Sequence, residues 1–130
     1  MARLILDSTV LIDAERAGRS LNRSIADEDD VAIAAVTAAE LLVGVELADA
    51  SRRAGRSAFV RSVLDTVPVE DYDIDVSRAH AILLAHVRRS GRPRGAHDLI
   101  IAATALARDR SIVSADAAAF ADLPGVSLRG

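Results

Sequence analysis

Arg3-Leu-Ile-Leu-Asp7-Ser-Thr9 decides how this chain is read. Three large aliphatic residues end abruptly at a carboxylate, and Val10, Leu11, Ile12 and Ala14 then follow with helical rather than alternating spacing. A short apolar strand (Arg3–Leu6) passing straight into a helix, with Ser8 or Thr9 near its start, is the opening of an α/β unit. Gly18 breaks that helix, Leu21–Ala26 fits a further short one, and Asp27–Asp30 is an acidic turn. Val31–Val36 is a second apolar strand, followed by a helix over Thr37–Ala48 with Leu41, Leu42, Val45 and Ala48 at core spacing. Ser51–Asp65 is another helix. Val67-Pro-Val69 is a third strand, placed near a sheet edge because Pro68 lacks an N–H. The rest of the chain reads as a helix over Val76–Arg89, a Gly- and Pro-bearing loop over Ser90–Ala96, and a buried helix over Leu99–Ala107 opened by His97-Asp98. Ile112-Val113 is a fourth strand, Asp116–Ala121 a short helix, and Val126–Leu128 a candidate last strand. The alternation predicts an α/β/α sandwich around a mostly parallel sheet of four or five strands, in one domain over residues 1–130.

Composition narrows the chemistry. The 130 residues are 51% hydrophobic and 27% charged with mean hydropathy +0.23, which fits a packed core and not a disordered chain. There is no cysteine, which excludes disulfides, thiolate metal sites and cysteine nucleophiles. All 16 basic residues are arginine, so lysine-dependent Schiff-base and P-loop chemistry is excluded. A net charge of −3 argues against a generally basic nucleic-acid binder, so any phosphate contact has to be local or aided by a metal ion. Only three aromatic residues (Phe59, Tyr72, Phe120) argue against base-stacking modules. No run reaches the ~20 apolar residues of a membrane span, and the start meets Asp7 too soon for a signal peptide. A cytoplasmic protein is the resulting expectation.

Four acids share one topological position. Asp7 follows the first strand, Glu40 lies in the first turn of the helix after the second, Asp98 opens the buried helix and Asp116 follows the fourth strand. Sites in open parallel sheets form beyond the carboxyl ends of the strands. Carboxylates gathered there repel one another unless a hard divalent cation, which takes oxygen ligands, neutralises them. Such an ion supports hydrolysis of phosphodiesters. Each acid also has a structural reading. Asp7 can cap a helix, Thr37-Ala-Ala-Glu40 fits a capping box, and Asp98 and Asp116 suit helix starts.

Leu4-Ile-Leu-Asp7-Ser-Thr9, Thr37-Ala-Ala-Glu40-Leu, His97-Asp98-Leu-Ile-Ile-Ala102-Ala and Val113-Ser-Ala-Asp116-Ala-Ala-Ala-Phe120 resemble the successive motifs of PIN-domain nucleases. More narrowly, they resemble the VapC toxins of type II toxin–antitoxin pairs, over Arg3 to about Leu128. The resemblance implies a bacterial, Mg²⁺- or Mn²⁺-dependent endoribonuclease. Asp7, Glu40, Asp98 and Asp116 would be its catalytic and metal-holding quartet. Asp98 and Asp7 would be direct ligands, Glu40 would act through water or as a base, and Asp116 would ligate or orient water. Thr9 and Ser114 match supporting hydroxyl positions. Ala115 departs from the Asn that many relatives carry, which removes one supporting hydrogen bond but no ligand. The resemblance also implies a VapB-like antitoxin partner lying over the acidic groove, a homodimer, and transfer or ribosomal RNA as substrate. The helices Thr37–Ala48 and Ser51–Asp65 are candidates for the dimer face or for antitoxin docking.

Arg88, Arg89, Arg92 and Arg94 fall within seven residues beside the Asp98 helix and could hold RNA phosphates or form a solvated loop. His97 is expected to be a buried or capping histidine and not a ligand. A phosphoacceptor receiver would need a lysine, and a haloacid-dehalogenase-like phosphatase would need an Asp where Thr9 stands. A non-catalytic module of the same fold is the alternative reading, opposed by the presence of all four acids.

Overall fold

The computed structural model describes residues 1–18 and 28–129; the helix expected over Leu21–Ala26 lies outside the described residues. Among the described residues the elements are β1 (Arg3–Leu6), α1 (Ser8–Arg16), β2 (Asp30–Ala34), α2 (Ala35–Leu47), α3 (Ala50–Thr66), β3 (Val69–Glu70), α4 (Ile74–Ser90), α5 (Ala96–Arg108) and β4 (Ser111–Val113), then a 3₁₀ turn at Ala117–Ala119. The sheet is all parallel, in the order β3-β2-β1-β4. β3 is the edge strand, as Pro68 requires, and the Pro68 carbonyl accepts from the Ile33 N–H at 3.0 Å. The candidate last strand is only a bridge, Leu128 pairing with Ile112.

Strands covered on both faces must be apolar along their length, which is why β1 reads as a continuous run and not an alternating one. Ile5 and Ile112 face one core with Val76, Leu83 and Phe120, supplied mainly by α4 and α5. Leu6 and Ile33 face the other with Leu11, Leu41, Val60 and Val63, from α1, α2 and α3. Each fully buried Leu or Ile contributes about 1.5–3 kcal/mol. The small residues Ala102, Ala103 and Ala105 let α5 lie between α4 and the sheet. Just before β4, where β2 also begins, the buried Arg110 guanidinium bonds the carbonyls of Leu4 and Asp30 and the carboxylates of Asp30 and Glu70. One side chain thereby ties together residues of β1, β2 and β3.

The helix expected to begin at Thr37 begins two residues earlier, at Ala35. Ala34 precedes it with no side-chain cap, and Thr37 is buried inside the first turn with its hydroxyl unpartnered. Glu40 therefore lies in the second turn, and the capping box suggested by Thr37-Ala-Ala-Glu40 is not made. Ala35-Val36 prolong an apolar run that looks like strand, so the sequence hides the true start.

Candidate active site

The carboxyl ends of β1 and β4 deliver the centre of the site. Asp7 is 2% exposed and caps α1, its Oδ1 accepting from the Ser8 N–H at 2.8 Å. Its Oδ2 accepts from the hydroxyls of Ser114 (2.7 Å) and Thr9 (3.0 Å). The same two hydroxyls accept backbone N–H groups in turn, Thr9 from Ala115 at 3.0 Å and Ser114 from Asp116 at 2.9 Å. A single hydrogen-bonded path thus runs from the β1 carboxylate to the backbone of the residue that carries the β4 carboxylate. The cap and the site reading of Asp7 coexist, because a carboxylate has more acceptor capacity than one helix N–H uses.

Asp98 stands in the first turn of α5. Gly95 caps that helix without a side chain, and a Cβ there would lie 2.8 Å from Asp98 Oδ2. The glycine therefore makes room for the carboxylate, a role the sequence conceals, since a glycine in a Gly- and Pro-bearing loop reads only as a turn. Glu40 projects from α2, and its Oε1 is buried with no hydrogen-bond partner. His97 Nδ1 is 3.7 Å away, too long for a good hydrogen bond but close enough for attraction when the imidazole is charged. The His97 side chain is mostly exposed, not buried or capping as expected. Asp116 is exposed and begins the 3₁₀ turn with no side-chain cap bond.

The four acids interact. Burial pushes the Glu40 carboxyl above its ordinary range; His97 opposes this, and the negative charges of Asp7 and Asp98 add to it. Burial also raises Asp98, as do Asp7 and Asp116, with His97 again opposing. No arginine pairs with any of the four among the described residues. As the side chains lie, no three acidic or histidine groups among the described residues converge closely enough to hold an ion. The donor set nonetheless suits a hard divalent cation: it is all oxygen, it repels itself, and it contains a buried carboxylate oxygen with no partner.

A carboxyl whose folded pKa is raised holds its proton more tightly folded than unfolded. Its ionisation therefore costs stability, progressively as pH rises from the ordinary carboxylate range through the raised value. Without metal, Asp98→Asn is expected to melt above the wild type at neutral pH, with the gap closing at acid pH. Paired thermal melts in EDTA at both pH values check this. An Asn variant that melts below the wild type at neutral pH would contradict the repulsive cluster.

The four arginines divide. Arg88 and Arg89 are exposed in the last turn of α4. The Arg92 side chain makes one long contact, 3.4 Å to Asp122, and lines an open concavity with Pro93, Arg94, Gly95, Asp116 and Ala118. Arg94 instead turns inward, to the backbone carbonyls of Ala118, Ala119 and Ala121 at 3.5, 3.0 and 2.7 Å. On the other side of the acids, a groove lined by Ser8, Ile12, Glu40, Leu41, Phe59 and Val60 runs between α1, α2 and α3. Arg56 and Glu15, which also line it, pair at 3.5 Å.

The PIN domain family model matches residues 4–126. Ribonuclease VapC5 of Mycobacterium tuberculosis (strain ATCC 25618 / H37Rv) is 41% identical over 115 residues, covering 86% of this chain and 82% of that protein. Among solved structures, VapBC-5 of the same organism, a member of the VapBC family of toxin–antitoxin systems, superposes with a TM-score of 0.80. It is 34% identical and covers 98% of each chain. VapBC2 of Rickettsia felis, bound to a DNA fragment from its promoter, gives a TM-score of 0.88 at 20% identity, covering 98% of this chain and 97% of that one, a likeness of fold.

Proposed function

Because the chain belongs to the PIN-domain family and, within it, to the VapC ribonucleases, we propose that it is the endoribonuclease toxin of a toxin–antitoxin pair, cutting RNA at the Asp7, Glu40, Asp98 and Asp116 cluster. The observation that carries this reading is the placement of Asp7, Glu40 and Asp116 after β1, β2 and β4 with Asp98 at the start of α5, and no arginine among the described residues pairs with any of them.

Asp98, Asp7 and Asp116 are the groups that would hold Mg²⁺ or Mn²⁺, with Glu40 beside them. When bound, such an ion supplies charge to offset the phosphate and lowers the pKa of water. Ser114 and Thr9 hold Asp7 Oδ2 in place by their hydroxyls, so the carboxylate presents a fixed orientation. The unpartnered Glu40 Oε1 can accept a hydrogen bond, and then a proton, from the water that attacks phosphorus. Burial raises its proton affinity, the direction that strengthens a base.

Arg92 borders Asp116 in the concavity beside the acids and can hold an RNA phosphate leaving the centre, with Arg88 and Arg89 further along. Arg92→Ala is expected to raise KM for RNA a few-fold with kcat little changed, and to flatten the salt dependence of binding by about one unit of slope. Steady-state rates at several salt concentrations measure both, and an unchanged KM would remove Arg92 from the RNA path.

An antitoxin of the VapB class is the partner. The groove between α1, α2 and α3 opens beside Glu40 with Ile12, Leu41, Phe59 and Val60 apolar and Glu15, Arg16 and Arg56 charged, which fits an amphipathic peptide segment running toward the acids. Leu42, Val43 and Leu47 of α2 are exposed and can extend that contact or join two copies of the chain as a homodimer. No helix among the described residues is long and apolar enough to cross a membrane, and a cytoplasmic place beside RNA suits the proposed activity. Incubating the purified chain with transfer and ribosomal RNA in Mg²⁺, alone and with an equimolar cognate antitoxin, tests the assignment. Cleavage that the antitoxin suppresses is expected; cleavage untouched by it would refute the toxin role.

A further inference from the structure

Asp116 sits on a segment with little of its own to hold it. Residues 115–118 are exposed, the 3₁₀ turn is short, and Asp116 makes no side-chain cap bond. The segment is held at its two ends, by the Thr9 and Ser114 hydroxyls that accept the Ala115 and Asp116 N–H groups and by the Phe120 ring, which is 1% exposed in the core. Between those ends a further hold comes from the loop before α5. The Arg94 guanidinium donates through Nη1 to Ala119 O at 3.0 Å and Ala118 O at 3.5 Å, and through Nη2 to Ala121 O at 2.7 Å. These carbonyls lie within and just past the turn, where helical hydrogen bonding leaves acceptors unpaired. Arg94 itself immediately precedes Gly95, the residue that caps α5 and makes room for the Asp98 carboxylate.

We propose that Arg94 is a positioning residue, clamping the Asp116 turn to the start of α5 and so fixing the separation of the Asp116 and Asp98 carboxylates. The proposal rests on the nuclease reading above and gives Arg94 a different task from its three neighbours in sequence. Its planar fork reaches three carbonyls at once, which a lysine ammonium on a flexible stem does not reproduce. With both terminal nitrogens already bonded to backbone, Arg94 is poorly placed to take an RNA phosphate. Without it the turn would be held only at its ends, by Thr9 and Ser114 on one side and Phe120 on the other. A ligand carboxylate displaced there weakens ion binding and the chemical step, while the RNA path over Arg92 stays in place.

The test is Mn²⁺ binding by calorimetry, together with kcat and KM for RNA, on the full chain. The set is wild type, Arg94→Ala, Arg94→Lys, Asp116→Asn and the double variant Arg94→Ala/Asp116→Asn. Arg94→Ala is expected to weaken Mn²⁺ binding about 10-fold and lower kcat by a similar factor, the size typical of losing a group that supports a ligand. KM for RNA should stay within about twofold, and Arg94→Lys should fall between Ala and wild type. Adding Arg94→Ala to Asp116→Asn should cost less than about twofold more in Mn²⁺ affinity, because the clamp then holds nothing of use. Unchanged Mn²⁺ binding in Arg94→Ala and Arg94→Lys, a rise in KM alone, or full additivity in the double variant would each overturn the proposal. If Arg94→Ala does not fold, Arg94→Lys carries the same comparison. Wild type that binds no Mn²⁺ and cleaves no RNA would defeat the nuclease reading itself, a result distinct from failure of the clamp.

Discussion

Asp98→Asn and Asp7→Asn are each expected to lower RNA cleavage by at least about 100-fold, beyond the loss that follows from removing a merely supporting group. Both substitutions keep shape and remove charge. Asn at position 98 still fits the space left by Gly95, and the carboxylate it replaces is one whose proton affinity burial and its neighbours raise. Asn at position 7 keeps an oxygen for the Ser8 N–H, while its amide nitrogen can turn to the Thr9 and Ser114 hydroxyls, which rotate to accept. The fold therefore survives and the loss belongs to chemistry. Cleavage rates beside circular dichroism melts separate the two, and a folded Asn variant that cuts at the wild-type rate would remove that residue from the centre.

The second large effect lies at the other end of the sheet. Arg110→Met is expected to destabilise the protein by about 3 kcal/mol, the lower end of the cost of breaking a buried ion pair. The Arg110 side chain is 5% exposed and donates to Leu4 O at 3.1 Å, Asp30 O at 2.9 Å and Asp30 Oδ1 at 3.0 Å. Its Nε and Nη2 both reach Glu70 Oε1, at 3.2 and 2.9 Å. Methionine fills much of the volume and supplies none of these donors. The loss is held toward the lower end because Arg3 still pairs with Asp30 and Arg108 with Glu70. Urea unfolding reads the change; a loss under about 1 kcal/mol would mean that the network adds little beyond packing. Cleavage by the folded fraction should be unaltered, since this cluster is remote from the acids.

The parts of this molecule legible in its sequence are those that local pattern controls. The strand cores Leu4-Ile-Leu6 and Ile112-Val113, the edge position forced by Pro68, and the buried α5 all follow from apolar runs and their breakers. The positions of the four acids were legible for the same reason, because Asp7, Glu40 and Asp116 follow strand ends and Asp98 opens the apolar α5 after a Gly- and Pro-bearing loop. The start of α2 was hidden, since Ala35-Val36 continue an apolar run whose geometry is decided by packing on the sheet. The functions of Gly95, Arg94 and Arg110 were hidden more deeply. Each depends on what a distant segment brings within reach: an Asp98 oxygen, the carbonyls of 118–121, the ends of β1, β2 and β3. A cluster of arginines within seven residues reads as one electrostatic feature, and only tertiary contact separates Arg94, whose guanidinium is bonded to three backbone carbonyls, from Arg92, whose side chain makes only a long contact to Asp122.

Cleavage of RNA by the purified chain in Mg²⁺ or Mn²⁺, compared with EDTA, bears most directly on the four-carboxylate centre. The arrangement of Asp7, Glu40, Asp98 and Asp116 leads to cleavage that stops in EDTA and returns when the divalent ion is restored. Cleavage that continues undiminished in EDTA, or none on any RNA together with no binding of either ion, would contradict it.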